Sequence, residues 1–163
     1  MVKQPALSGF LLALVAASCI NAEAQTLNYR SANGLRARVV PVGSGRESRI
    51  EIRLPSGKLI RWKSFASADG QHGKIVGHAV WSAKGEFFVF STTNTGGHQP
   101  WSWATYFYSQ RRQRFYLLDH FIGPITSDFS LSEANVLKTT RLCFENDKPN
   151  EAPITVRLNR LRL

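Results

Sequence analysis

Two groups of residues carry the chemical interest of this sequence. The first is the segment from Thr92 to Trp103, which reads Thr-Thr-Asn-Thr-Gly-Gly-His-Gln-Pro-Trp-Ser-Trp. It is about twice the length of an ordinary hairpin connection, and long irregular loops tend to carry function. Gly96-Gly97 opens backbone angles closed to other residues, and Pro100 stiffens the approach to Trp101 and Trp103. Indoles held on a loop stack on sugar rings or on a partner's apolar side chains, with the ring N–H free to donate. His98 in the same segment joins Trp101 and Trp103 as a candidate partner contact. The alternation Trp101-Ser102-Trp103 equally allows a strand start, with both indoles folded over the open end of a sheet as a lid.

The second group is basic. On a hairpin over residues 49–65 the outward set is expected to include Arg49, Arg53, Arg61 and Lys63, relieved by Glu51, with Arg36 and Arg38 joining from the strand before. Guanidinium forks suit carboxylate, sulfate and phosphate groups. A further cluster, Arg111-Arg112-Gln113-Arg114, falls in a turn. The plainer role of such residues is a solvated surface that protects sheet edges. The whole chain has 21 Lys and Arg against 11 Asp and Glu, a net charge of +10, which favours anionic partners.

Catalytic patterns are sparse. His72, His78, His98 and His120 have no spacing that would put two on one helix face as metal ligands, so neither a metal nor another cofactor is expected. There is no Gly-x-Ser-x-Gly elbow, no phosphate-binding Walker loop and no paired-carboxylate signature. Gly43-Ser44-Gly45-Arg46 reads as a flexible turn before it reads as an anion cradle. The enzyme alternative is a small secreted hydrolase of envelope polymers, with His98 and the Asp119-His120 pair as its acid and base.

The elements that must position these residues read as strands and turns. Arg49-Ile50-Glu51-Ile52-Arg53-Leu54 alternates strictly, Pro55 and Gly57 supply a turn, and Ile60 and Trp62 continue in phase with one another. Strands are expected at residues 35–42, 74–81, 86–92, 104–109 and 114–119. Ser130-Leu131-Ser132-Glu133 resembles a capping box opening a short helix near 131–140, while Val136 to Phe144 reads equally as strand. Ile154, Val156 and Leu158 share one parity and Leu161 and Leu163 the other. A β-bulge, or a break between two short strands, is therefore expected near Asn159-Arg160, in a final segment paired inside the sheet. The fold class is mainly β, an antiparallel meander forming a small sandwich or an open, curled sheet.

The N-terminus bears on location. Lys3 precedes an apolar run from Phe10 to Ala17, and Ala22-Glu23-Ala24 supplies small residues for cleavage before Gln25. Residues 1–24 read as a secretory signal peptide and residues 25–163 as one β-rich domain, periplasmic or secreted. Export argues against genomic nucleic acid as a partner. No later apolar run is long enough to span a bilayer as a helix. The alternative is a lipid-anchored envelope component: Ala16-Ala17-Ser18-Cys19 resembles a lipobox, in which Cys19 would carry the lipid. Cys143 is then the one remaining cysteine, expected to be a buried thiol, so the fold rests on packing and not on disulfides.

Residues Ala79-Val80-Trp81-Ser82-Ala83-Lys84-Gly85-Glu86-Phe87-Phe88-Val89-Phe90-Ser91 resemble the inner hairpin of a WD-like β-propeller repeat. Tyr106-Phe107-Tyr108 and Phe115 to Asp119 would complete the blade, over residues 75–119. The family's Pro-Asp is Ala83-Lys84 here. The resemblance implies a blade-like meander and a binding platform, and it transfers no catalytic residue. A complete propeller needs about four or more blades, which this chain does not hold. The function expected is that of an exported bacterial envelope binding protein. It would recognise a protein or an anionic polymer through the aromatic loop and the basic face.

Overall fold

The alternating run Arg49-Ile50-Glu51-Ile52-Arg53 forms a strand with Ile50 and Ile52 fully buried, and such strands build three consecutive antiparallel sheets. The computed structural model describes residues 25–96, 103–132, 135–145 and 148–163. Residues 1–24, read above as a signal peptide and including Cys19, lie outside these residues, as do His98 and Trp101. The first sheet holds β1 (Leu27–Arg30), β2 (Arg36–Val42), β3 (Glu47–Arg53) and β4 (Leu59–Ser64) in chain order. The second holds β5 (Lys74–Trp81), β6 (Phe87–Asn94), β7 (Ala104–Ser109) and β8 (Arg114–Leu117), also in chain order. A single helical turn, α1 (Asp119–Ile122), leads to β9 (Ile125–Ser132), β10 (Val136–Glu145) and β11 (Lys148–Arg157), ordered β11-β10-β9.

The second sheet is the middle layer, and its side chains say why. Along β6, Phe88 and Phe90 enter a core shared with the first sheet, while Phe87 and Val89 enter a core shared with the third. Tyr106 and Tyr108 of β7 face the first core and Phe107 the second; on β8, Phe115 and Tyr116 divide the same way. An antiparallel strand with water on one face alternates apolar with polar residues, so a continuous run such as Phe87 to Phe90 requires cover on both. The first core adds Val39, Ile50, Ile52 and Trp81; the second adds Leu118, Ile125, Leu137 and Leu158. The Trp81 indole N–H donates to the Tyr29 carbonyl at 3.1 Å, tying the first two sheets together. The mainly-β expectation therefore holds, as a sandwich with a third layer and, among the described residues, no closed barrel.

Several local expectations meet corrections. Residues 131–140 contain no helix among those described: Leu131 and Ser132 end β9, and Val136 begins β10. The β9–β10 pairing through Val136↔Ser132 and Leu137↔Leu131 is the reason, because it satisfies this backbone as a ladder. The phase change after Leu158 is a break and not a bulge: β11 ends at Arg157, a 3-10 turn spans Leu158–Arg160, and no second short strand follows among the described residues. That turn swings Leu161 and Leu163 back onto the core that holds Ile154 and Val156. Among the described residues the final strand pairs only with β10 and so lies at the sheet edge, not inside it. Cys143 is a free thiol and half-buried instead of buried, and it lies beyond Arg141, where the pairing of β10 with β9 ends.

Candidate functional site

Antiparallel partners directly opposite each other share a face of the sheet, so the register of β1 to β4 fixes what its outer face displays. One row across the strands is Arg30, Arg36, Arg53 and Leu59. The next is Asn28, Arg38, Glu51 and Trp62, and a third runs from Val40 through Arg49 to Ser64. Five guanidiniums thus stand on one face around a single carboxylate. Neighbouring positions are ~4.8 Å apart across strands and ~7 Å apart along them.

Glu51 organises this face. Its side chain is 6% exposed and meets Arg49 at 2.7 Å, Arg53 at 2.8 Å and Arg38 at 3.7 Å. Arg53 places two nitrogens on the same carboxylate oxygen and a third on the Gly57 carbonyl at 2.8 Å, which pins its fork at the hairpin turn. Burial pushes the Glu51 carboxyl up, but the adjacent Arg53 and Arg49 outweigh it and hold its pKa below the ordinary glutamate value. One negative charge therefore spaces three positive ones, and the face keeps a surplus of positive charge. Arg30 and Arg36 stand exposed at its border, outside the ion pairs of the described residues.

Trp62 belongs to this face and was not legible as such in the sequence. It is 57% exposed, directly opposite Glu51, in the edge strand β4. A register shift explains it: Ile52 pairs with Arg61 but Arg53 pairs with Leu59, so Ile60 is an extra residue. Ile60 turns toward the core, and Trp62, two residues on, stays outside. The same shift corrects the expected outward set. Arg61 and Lys63 stand opposite Ile52 and Ile50, so they point to the other side of the sheet from Arg49 and Arg53. Lys63 reaches over the Tyr106 ring, its Nζ 5.2 Å from the ring centre.

The remaining candidates are dispersed. Trp103 is half-buried, and its carbonyl accepts the Thr105 hydroxyl at 3.0 Å. The Asp119 carboxylate accepts the Thr105 N–H at 3.2 Å, and burial raises its pKa, while His120 is exposed. Arg111 and Arg112 border a pocket of about 410 Å³ with Glu86, Asn159, Leu161 and Leu163. Arg114 instead lies beside Arg61 and Lys63.

A carboxylate cluster lies beside the β4–β5 connection. Buried Glu47 accepts the Gly73 N–H at 2.6 Å and the Ser67 N–H at 3.0 Å, and Asp69 pairs with His72. Hydrogen bonds from Ser67 hold the Glu47 carboxyl below its usual range against the cost of burial. A Cβ on Gly73 would lie 2.4 Å from the Phe65 carbonyl, so only glycine admits this approach. The His72 ring bonds Asp69 and not the Ser67 hydroxyl, so no nucleophile–base pair forms here. The cluster fastens the connection to β3. Among the described residues no group of three or more His, Cys, Asp or Glu is placed to hold a metal ion, and no helix is long and apolar enough to cross a membrane.

Comparison of the chain with protein-family models, with curated proteins and with solved structures finds no match in any of the three.

Proposed function

We propose that the protein is an exported bacterial envelope binding protein that captures an anionic polymer on the outer face of its first sheet. The observation that carries this reading is the registered grid of Arg30, Arg36, Arg38, Arg49 and Arg53 with an exposed indole, Trp62, at its edge. Regular spacing of positive forks across one sheet face suits a ligand with repeating carboxylate, sulfate or phosphate groups. Trp62 supplies a stacking surface beside them for sugar rings. The exported location rests on the leader-like pattern of residues 1–24, and the platform role agrees with the WD-like resemblance of residues 79–91. The loop residues His98, Trp101 and Trp103 would add aromatic and imidazole contacts to the same partner.

Titration of the full chain with dextran sulfate at increasing sodium chloride tests the proposal. Affinity is expected to fall steeply with salt, and neutral dextran is expected not to bind, because release of counterions from the polymer drives association. Affinity that is insensitive to salt, or equal for the neutral polymer, would remove the anionic ligand from the account.

A further inference from the structure

We propose that the outer edge of β4 is a second binding site, at which an extended acidic segment of another protein adds a fifth strand to the first sheet. β4 ends the order β1-β2-β3-β4, and among the described residues no strand pairs with its far side. In an antiparallel ladder successive residues turn their N–H and C=O alternately toward and away from the neighbour. The Phe65 N–H donates to the Ser48 carbonyl at 3.0 Å, so Lys63 also faces β3, while Ser64 and Trp62 turn both groups outward. Both residues are exposed, and their outward groups form a template for another strand. The other edges are blunted. β1 and β8 have four residues each, β11 carries Pro153, and β5 is bulged between Val76 and Ala79. β9 leans on β5, where the His78 ring meets the Phe129 carbonyl at 3.1 Å. β4 runs six residues without a proline and keeps an unbroken register from Arg61 to Ser64.

The charge beside this edge selects the partner. Arg61 and Lys63 lie on the core side of β4, where Arg114 and Phe115 of β8 complete a cleft with them and with Trp62. The cleft is lined by three cations and no carboxylate. Lys63 is braced over two rings, its Nζ 5.2 Å from the centre of Tyr106 and 5.5 Å from that of Phe65. A second copy of this chain paired edge to edge would bring Arg61 and Lys63 against their like, which disfavours self-pairing. An incoming strand with glutamate or aspartate at alternate positions meets these cations instead. Its intervening apolar residues lie on the other side, beside Leu59 and Trp62, which are 40% and 57% exposed.

The test uses a capped six-residue peptide of alternating glutamate and valine, matching β4 in length, with an alternating lysine and valine peptide as control. Isothermal titration of the full chain is expected to show saturable binding of the acidic peptide alone. Amide hydrogen exchange supplies the decisive readout. Excess acidic peptide should slow the Trp62 and Ser64 N–H groups roughly tenfold or more, with Lys63, already in the ladder, changing little. Ser64→Pro removes an outward donor and sets a ring in the path of the added strand, so affinity is expected to fall roughly tenfold. Ser64→Ala keeps the N–H and should bind as the unaltered chain does. Arg61→Gln with Arg114→Gln is expected to weaken the acidic peptide by a similar factor, whereas Arg30→Gln with Arg36→Gln leaves it unchanged. Failure of the acidic peptide to bind, equal binding of the lysine peptide, or binding that leaves the Trp62 and Ser64 amides unprotected would each overturn the proposal. Protection of those amides by dextran sulfate would overturn it too, by assigning the edge to the polymer. Polymer capture at the grid is scored separately, with the Arg30 and Arg36 variant, so either reading can fail alone.

Discussion

Replacing Arg30 and Arg36 by glutamine and Trp62 by alanine is expected to weaken dextran sulfate binding roughly a hundredfold while leaving the fold intact. These three residues are chosen because none of them is among those that hold Glu51, and all are exposed. Loss of two charges lowers the slope of log affinity against log salt by about two if both touch anionic groups. Loss of an exposed aromatic anchor at a binding surface costs about 2 kcal/mol or more of affinity. Stability should move by no more than about 0.5 kcal/mol per site, the usual range for surface changes away from specific contacts. Removal of Arg38, Arg49 or Arg53 would be a poorer experiment, because it strips a partner from a buried carboxylate and mixes folding with binding. Equilibrium titration beside a thermal melt separates the two quantities.

The second large effect concerns the double-faced middle sheet. Phe88→Ala and Phe107→Ala should each cost about 3–5 kcal/mol in denaturant unfolding, although they lie on opposite faces. Phe88 is fully buried against Tyr29 and Trp81, with ring centres at 5.5 Å and 5.1 Å. Phe107 is fully buried against Tyr116 at 5.2 Å and near Phe121 at 6.0 Å. Either loss takes a large share of the 5–15 kcal/mol that stabilises an ordinary domain, and the described residues hold no disulfide to offset it. A mild effect of Phe107→Ala beside a severe one of Phe88→Ala would mean that the third sheet is peripheral to the folding unit.

What the sequence made legible follows the period of its side chains. The hairpin over 49–65 could be read because Ile50 and Ile52 alternate with charges and Gly57 takes the positive φ, +90°, that its turn requires. The side on which Trp62 lies could not be read, because one extra residue at Ile60 reverses the parity of everything beyond it. Arg61 and Lys63 were displaced from the expected face by the same residue. The four strands of residues 74–117 were foreseen as a meander, but β1 was not, since four residues with exposed Leu27 and Arg30 carry no clear alternation. A third layer was implicit in Phe87-Phe88-Val89-Phe90, whose unbroken burial only a sheet covered on both faces explains. Glu51 looked like a lone relief of positive charge; its role as the spacer of three guanidiniums depends on cross-strand neighbours that no local pattern reveals.

The most direct measurement is the footprint of a bound sulfated oligosaccharide on the protein, read from the arginine Nε–H and tryptophan indole signals in nuclear magnetic resonance spectra. The expected footprint covers Arg30, Arg36, Arg38, Arg49, Arg53 and the Trp62 indole, with the Trp81 indole, buried between the first two sheets, unmoved. A ligand that perturbs other arginines while leaving these five and Trp62 unchanged would contradict the account.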